Sequence, residues 1–325
     1  MWSNVPVRSR LPKVGDLHEP FVLNNAARVL NWPSTYQDLA DPAHFLSLDI
    51  DDSVGLSTGT AYDTNCEYVP LNDALTEVIN CPAGQKRYIA GWEYAAGDSG
   101  SKLAKYGICV DEWESSCLLG TSSIAGLRQV SELMKWFFIG SSETSSGVHS
   151  DPLGAHGWMF LYSGTKTWRI AQPPEGYTGG LKSPVKDFSP NNPELFGWTF
   201  YVTVLFPGQL IFIPGGSLHS VKNGKGRSVA VTHNFVTQPD AIWFEINRAL
   251  SLMTMSLDEL CDHPEVDSLL FGVIVSLSRA TFQDREQFAI SDNSPLRRQC
   301  LEMLRRITPS LEEFKEEGFQ VKTEM

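Results

Sequence analysis

The sequence predicts a mainly β protein with flanking helices, in which an antiparallel sandwich or barrel forms the core. Between residues 86 and 237, short segments rich in aromatic and β-branched residues alternate with clusters of Gly, Pro and Ser. Such segments favour strands, and such clusters favour the turns between them. Many short strands of this kind are typical of a jelly roll, which is the leading architecture. The segments are KRYIAGWEY, LMKWFFIG, WMFLYS, KTWRIA, FYVTVLF, QLIFIP and RSVAVTHNFV.

Two regions with a different composition and patterning flank this β core. Residues 1–85 mix Pro, Asn and Asp with short helical patterns such as Leu71 to Ile79, and we expect them to form a mixed helix and loop region that packs on the core. Residues 238–325 have helical patterning with apolar stripes. We expect these stripes to pack onto the sheet, and a homodimer interface is the alternative. The stripe residues are Trp243, Ile246, Ala249, Leu250, Leu296, Cys300, Leu301, Leu304 and Ile307.

Composition and charge favour an intracellular protein, nuclear or cytoplasmic, with basic partners. No apolar run reaches the roughly 18 residues of a membrane span, and none follows the basic start as in a secretory signal. The 6 cysteines are scattered without a CxxC pair, which is typical of reduced thiols. The net charge of −12 disfavours nucleic acid, whose phosphates attract basic proteins, and favours a basic protein or peptide.

Two segments carry side chains suited to a metal site. His149 and Asp151 are two residues apart, so on an extended strand both side chains point to the same face. His219 follows the apolar strand Leu210 to Ile213 and a Pro-Gly-Gly turn, and is the best candidate for a third ligand. Two histidines and a carboxylate form the facial triad that holds iron(II) and leaves coordination positions open. Cupin-like sites use many other ligand sets, and a His-x-Asp pair is also common in surface loops.

A second group of polar residues fits a dicarboxylate cosubstrate. Lys166 begins the segment KTWRIA, and an ammonium buried beside a metal needs an anionic partner. Thr232 and Asn234 share one face of their strand, with His233 on the other. Ser146 lies three residues before His149 and could donate a further hydroxyl.

These residues lie in a pattern that resembles the JmjC domain, the double-stranded β-helix of iron- and 2-oxoglutarate-dependent oxygenases. The resemblance is carried by SSGVHSDPLGAHGWMFLYSGTKTW, by PGQLIFIPGG with His219 after it, and by VAVTHNF. It covers about residues 136 to 236, with a weaker likeness from Arg87–Tyr88–Ile89 into the helices after 238. The nearest branch is the one that contains the arginine demethylase and lysyl hydroxylase once called the phosphatidylserine receptor.

The resemblance implies a role for each matching residue. It makes His149, Asp151 and His219 the iron ligands, and Lys166 the lysine that binds the distal carboxylate of 2-oxoglutarate. Further cosubstrate contacts would come from four other residues, of which Tyr88 aligns most loosely. These four are Ser146, Thr232, Asn234 and Tyr88.

This chain also departs from the family pattern, at positions that we expect to alter the pocket wall. Gln209 stands where relatives often have an acidic residue, and Ser217–Leu218 where they have a tryptophan. Met159 stands where a close relative has asparagine. Outside the pattern, we expect His156 at the pocket rim and the acidic run Asp49 to Asp52 in a solvated loop, with recognition of a basic substrate as the alternative.

The resemblance implies a dioxygenase with Fe(II) and 2-oxoglutarate as cofactor and cosubstrate. We expect it to hydroxylate a protein side chain, or to demethylate an N-methyl lysine or arginine by hydroxylation. The absence of a reader domain or zinc cluster favours the hydroxylases. Three alternatives stay open: a catalytically silent JmjC fold that acts as a binding module, a tRNA-base hydroxylase, and a cupin metalloenzyme that does not use 2-oxoglutarate, such as an isomerase.

Overall fold

The computed structural model describes residues 1–61, 66–95, 97–175, 177, 185, 187–252, 268–288 and 295–311. The chain divides into two compact units. The first comprises Met1–Glu112, Leu133–Asp151 and His156–Asn234, and contains the β core. The second comprises Trp113–Glu132, Pro152–Ala155 and Phe235–Met325.

The described residues contain fourteen strands, numbered here in chain order. They are β1 (Trp2–Asn4), β2 (Val7–Arg8), β3 (Phe21–Leu23), β4 (Ser53–Ser57), β5 (Glu67–Pro70), β6 (Tyr88–Glu93), β7 (Lys135–Gly140), β8 (Ser145–His149), β9 (His156–Ser163), β10 (Lys166–Gln172), β11 (Thr199–Leu205), β12 (Leu210–Ile213), β13 (Leu218–Asn223) and β14 (Ser228–Phe235).

The strands form two sheets with mostly antiparallel pairing. The smaller sheet has the order β1-β11-β10-β13-β8, and the larger has the order β2-β3-β12-β9-β14-β7-β6-β4-β5. A buried apolar cluster joins them, with members from β9, β12 and β14 of the larger sheet and β10, β11 and β13 of the smaller. This arrangement confirms the predicted mainly β fold of the jelly-roll or cupin type.

Alternation along β10 defines the inner face of the smaller sheet. Lys166, Trp168 and Ile170 are buried, while Thr167 and Arg169 between them are exposed. Because successive side chains of a strand point to opposite faces, the three buried residues share one face. Trp168 and Ile170 belong to the cluster between the sheets, so the side chain of Lys166 starts from the same inner face.

The outer face of the smaller sheet is covered by a second apolar cluster. Its buried members are Ala171, Leu195, Phe200 and Leu218. Partly buried apolar residues pack against them, and these are Trp2, Val148, Val185, Phe188 and Trp198. Leu218 and Val148 thus point away from the inner face that their neighbours His219 and His149 occupy.

Residues 1–85 supply five strands to the two sheets, β1 to β5. The pattern of this region predicted short helices and loops, and its helix over Leu71–Ile79 is confirmed. The strands are only two to five residues long, which is too short for a clear alternation of apolar and polar residues. Most of them lie at or near sheet edges, where one side of the ladder is open.

Ten α-helices lie within the described residues. They are α1 (Ala26–Val29), α2 (Pro42–Leu46), α3 (Leu71–Ile79), α4 (Gly97–Leu103), α5 (Asp111–Glu114), α6 (Ala125–Glu132), α7 (Pro239–Leu252), α8 (Ser268–Arg279), α9 (Phe282–Gln287) and α10 (Pro295–Leu311). Of these described helices, none combines the length and the apolar character that crossing a membrane requires.

The last helices pack together within the second unit. Trp243 of α7 is fully buried, and the Sγ atom of Cys300 in α10 donates to its carbonyl oxygen at 3.3 Å. Leu301 and Leu304 are buried on the same helix as Cys300. The described members of the predicted C-terminal stripe are therefore buried, except for Leu296, which is partly buried, whereas the side chain of Ile307 lies outside the described residues. The homodimer remains a prediction.

Candidate active site

The three predicted metal ligands meet on the smaller sheet. His149 ends β8 and lies directly opposite His219 of β13 in the antiparallel register, with ring centroids 4.3 Å apart. Asp151 follows His149 by two residues, and its Oδ1 atom lies 3.9 Å from Nε2 of His219. One potential ligand atom from each residue lies within 4.8 Å of the other two. This spacing suits three ligands of a single ion.

Backbone carbonyls orient both imidazole rings. Nδ1 of His149 is 2.8 Å from the oxygen of Gly147, and Nδ1 of His219 is 3.3 Å from the oxygen of Ser217. A carbonyl only accepts, so each Nδ1 carries the hydrogen and each Nε2 presents a lone pair. Metal-binding histidines commonly show this arrangement, in which an outer hydrogen bond fixes the tautomer.

The three ligands differ in exposure. His219 is buried, Asp151 is partly buried and His149 is exposed. Burial, followed by repulsion from His149, lowers the pKa of His219 to about 4. His219 is therefore neutral near pH 7, which is the form that binds a metal.

A glycine allows Asp151 to approach the β core. A Cβ atom on Gly157 would lie 2.8 Å from Oδ2 of Asp151 and 2.9 Å from Oδ1 of Asn234. Both distances are too short for a real side chain. Only glycine therefore lets the Asp151 carboxylate and the Asn234 amide both lie this close to β9.

Lys166 is fully buried and has no carboxylate within ion-pair distance in the described part of the chain. Its Nζ atom donates to Oδ1 of Asn223 at 2.8 Å, directly across the β10–β13 ladder. Nδ2 of Asn223 in turn donates to Oγ1 of Thr144 at 2.6 Å. Nζ also lies 5.7 Å from the ring centroid of Tyr88 and 5.9 Å from that of Phe138. Burial lowers the pKa of Lys166 to about 7, because the charged form loses its hydration and no anion among the described residues stabilises it.

Ser146 is buried and lies opposite Val221 in the β8–β13 ladder. The register shifts between His219 and Val221, so one intervening residue of β13, Ser220, lies opposite two of β8, Gly147 and Val148. This irregularity turns Ser146 and His149, three residues apart, toward the same face.

Thr232 and Asn234 lie on the face of β14 that also presents Ala230 to the apolar cluster between the sheets. Thr232 already donates its hydroxyl hydrogen to the carbonyl oxygen of Trp158 at 2.6 Å, so toward a cosubstrate it can only accept. Nδ2 of Asn234 is buried and, among the described atoms, has no acceptor. His233 faces the other way. Its ring packs at a tilt against Trp158, with ring centroids 4.3 Å apart, and hydrogen-bonds to the hydroxyl of Tyr94.

The side chains of Gln209 and Leu218, at two of the three departures from the family pattern, have their described contacts away from the inner apolar cluster, which corrects the expectation for these two side chains, whereas Ser217 beside Leu218 is fully buried. Gln209 accepts from the backbone N–H of Phe206 at 2.8 Å and donates to Asn24 at 2.7 Å, so it stabilises a turn. Leu218 belongs to the outer apolar cluster. Met159 does face the inner cluster and remains a pocket difference.

Sequence reasoning missed Asn223, Thr144 and Gly157. Asn223 precedes a glycine in the turn-like stretch KNGKG, so its residue type suggested only a turn. Its role depends on the register that sets it opposite Lys166, which the sequence alone does not reveal. His156, expected at the rim, is buried as the first residue of β9.

The acidic run is held by local contacts. Asp52 accepts from the indole N–H of Trp92 at 2.7 Å, and the backbone oxygen of Asp49 accepts from Lys102. The backbone N–H of Asp51 donates to Asp98 at 3.2 Å. These contacts tie the run to β6 and α4.

Comparison with known proteins identifies relatives for part of the chain. No family model matches it. Proteins called bifunctional arginine demethylase and lysyl-hydroxylase psr-1 are 30% identical in Caenorhabditis briggsae and 29% identical in Caenorhabditis elegans, over 118 residues. Each match covers 31% of this chain and 29% of the relative. JmjC domain-containing protein 1 of Schizosaccharomyces pombe is 23% identical over 181 residues, 52% of this chain and 35% of that protein.

The fold and the cluster of two histidines and an aspartate define a cupin-type protein with a potential metal centre. Together with the relatives, they support a JmjC-domain protein, as the sequence pattern predicted. The chain spans about a third of the length of the curated relatives that it matches.

Proposed function

We propose that this protein is an Fe(II)- and 2-oxoglutarate-dependent dioxygenase that hydroxylates a protein side chain, with demethylation of an N-methyl lysine or arginine as the variant outcome. One observation carries the proposal: a complete two-histidine, one-carboxylate cluster shares the inner face of a sheet with a fully buried lysine that lacks a counter-ion among the described residues. The cluster fits a metal, and the lysine fits an anion that the described residues do not supply.

The donor set fits iron(II). Two neutral imidazole nitrogens and one carboxylate oxygen are the ligands of non-haem iron oxygenases. His149, Asp151 and His219 would hold the ion, and their Nδ1–carbonyl contacts keep Nε2 available. When bound, the iron supplies dioxygen activation coupled to decarboxylation of the cosubstrate.

The surroundings of Lys166 fit the far carboxylate of 2-oxoglutarate. The buried ammonium would pair with that carboxylate, and Asn223 keeps it in position from across the ladder. The rings of Tyr88 and Phe138 exclude water, which strengthens the pairing. Ser146, Thr232 and Asn234 offer further contacts: the Thr232 hydroxyl as an acceptor, and the buried Nδ2 of Asn234 as a donor.

We propose a basic protein or peptide as the substrate. The net charge of −12 favours such a partner and disfavours nucleic acid, including tRNA. The names of the two nematode relatives describe action on arginine and lysine, both basic side chains. The proposal also includes an intracellular location in the nucleus or cytoplasm and a homodimer through the C-terminal helices.

The alternative of a silent binding module loses support from the structure. It depended on the unusual Gln209 and Ser217–Leu218. Gln209 makes its hydrogen bonds at a turn and Leu218 packs in the outer apolar cluster, so these two side chains give it no support. A cupin enzyme that does not use 2-oxoglutarate gives no role to the uncompensated Lys166.

The test measures succinate formation with iron(II), 2-oxoglutarate and Lys- or Arg-rich peptides under air. Asp151→Asn keeps the size of the side chain but removes the negative charge that holds a divalent ion. We expect it to lower succinate formation at least 100-fold, in the range that loss of an essential catalytic group produces. Gln209→Glu, an opposite charge change at the distant turn, is the matched control and should leave the rate unchanged. Full turnover by the Asp151→Asn variant would refute the proposed function.

A further inference from the structure

His156 joins the two segments that carry the metal ligands. It is the first residue of β9 and lies five residues after Asp151. Its Nδ1 atom accepts a hydrogen bond from the backbone N–H of Gly215 at 2.9 Å. Gly215 lies in the Pro214–Ser217 turn between β12 and β13, four residues before His219. The β9–β12 ladder ends at the pair Gly157 and Ile213, so the imidazole extends the connection beyond the last strand pair.

The same turn orients His219. The backbone N–H of Ser217 donates to the oxygen of Pro214 at 3.2 Å, which closes the turn. The oxygen of Ser217 then accepts from Nδ1 of His219 at 3.3 Å. A contact that fixes Gly215 therefore also fixes the carbonyl that sets the direction of the His219 ring.

The environment of His156 keeps its ring in the accepting form. The side chain is buried, and its ring lies 5.5 Å from that of Phe212. Desolvation by burial lowers the pKa of His156 to about 4, so near pH 7 the ring is neutral and Nδ1 has a lone pair for Gly215. Without an acceptor there, the partly buried backbone N–H of Gly215 would lose its partner, which destabilises the turn.

We infer that His156 is a positioning residue for the metal centre, which holds the turn before His219 in register with the segment that carries Asp151. This inference rests on the proposed function, since it assigns His156 to the same centre. The imidazole acts through Gly215 and Ser217 and is not itself a ligand. Outer contacts of this kind change metal affinity by about 10- to 100-fold when they are removed.

Three variants separate the position of the acceptor from the bulk of the side chain. In His156→Asn the amide oxygen can occupy the position of Nδ1, so the contact with Gly215 is kept. In His156→Gln the same amide group lies one methylene farther out, so the acceptor is displaced. His156→Phe keeps a ring and removes the acceptor.

The measurement is anaerobic titration of each variant with Co(II) alone, following affinity and the visible absorption of the bound ion, together with the melting temperature of the metal-free protein. We expect about 10-fold weaker Co(II) binding and an altered spectrum for His156→Phe and His156→Gln. His156→Asn should stay within about 3-fold of the wild type, with the wild-type spectrum. If His156→Phe does not fold, the comparison of Co(II) affinity between His156→Asn and His156→Gln tests the inference.

Three results would overturn the inference, and they are distinguishable. Wild-type affinity and spectrum in His156→Gln would remove the positioning role and leave the proposed function intact. Failure of the wild-type protein to bind Co(II) would instead refute the metal centre, and the positioning role with it. Equal losses in His156→Asn and His156→Gln would also overturn it, because the effect would then not follow the position of the acceptor.

Discussion

At the scale of single residues, the close approach of Asp151 to Gly157 depends on the absence of a side chain at residue 157. Gly157→Ala would add a Cβ atom 2.8 Å from Oδ2 of Asp151. We expect the carboxylate to move and Co(II) affinity to fall at least 10-fold, because metal ligands tolerate only small displacements. Gly15→Ala is the control, since a Cβ atom there meets nothing within 4 Å. Equal Co(II) affinities in the two variants, measured by titration, would contradict this account.

Lys166 makes the stability of the ligand-free protein depend on pH. Burial lowers its pKa from an ordinary value of 10.5 to about 7. Between these pH values the unfolded chain binds more protons than the folded one, so stability rises as the pH increases from about 7 to about 10. We expect the free energy of unfolding to increase on the order of 4 kcal/mol over this pH range, and Lys166→Met should abolish the increase.

Urea unfolding of both proteins between pH 6 and pH 10, without metal or cosubstrate, measures this gain. Below pH 7 Lys166 is protonated in both the folded and the unfolded state. The difference in the free energy of unfolding between the wild type and Lys166→Met should therefore be constant there. The same pH slope in wild type and Lys166→Met would show that another group causes it.

At the scale of structural elements, the register of β10 against β13 determines what Lys166 can bind. Because Asn223 lies opposite it, Asn223→Asp would put a carboxylate about 2.8 Å from the ammonium. We expect the new ion pair to raise the pKa of Lys166 and to compete with the cosubstrate, with 2-oxoglutarate affinity about 10- to 100-fold weaker.

Anaerobic titration with 2-oxoglutarate in the presence of Mn(II) tests this expectation. Asn191→Asp makes the same amide-to-carboxylate change in an exposed loop and should bind 2-oxoglutarate like the wild type. Undiminished affinity in Asn223→Asp would mean that the dicarboxylate does not bind at Lys166.

The elements also show how far sequence reasoning reaches. The core strands are long enough for their aromatic and β-branched residues to identify them, and β10 alternates clearly between buried and exposed positions. Strands β2 and β3, of two and three residues, are fixed by pairing with partners far along the chain, and no local pattern predicts them. Residue spacing suggested that His149 and Asp151 act together, whereas Asn223 and Gly157 gain their roles only from neighbours across a ladder.

At the scale of the whole molecule, net charge should affect which substrates the protein meets. With a charge of −12, the protein attracts Lys- and Arg-rich peptides through forces that salt screens. We expect kcat/KM for such a peptide to fall several-fold when the ionic strength rises from about 0.02 M to about 0.5 M. A peptide with Gln in place of the flanking Lys and Arg residues should show little change. Equal salt dependence for both peptides, measured by succinate formation, would contradict electrostatic attraction of the substrate.

The unequal exposure of the three ligands has a consequence for metal exchange. His219 lies at the buried side of the cluster and His149 at the side open to solvent. A small chelator in solution would therefore meet the His149 side of the cluster first. Loss of a bound ion would begin with release of the His149 imidazole, before release by Asp151 and His219. The rate of metal loss would then depend mainly on how firmly the end of one edge strand, β8, keeps His149 in place.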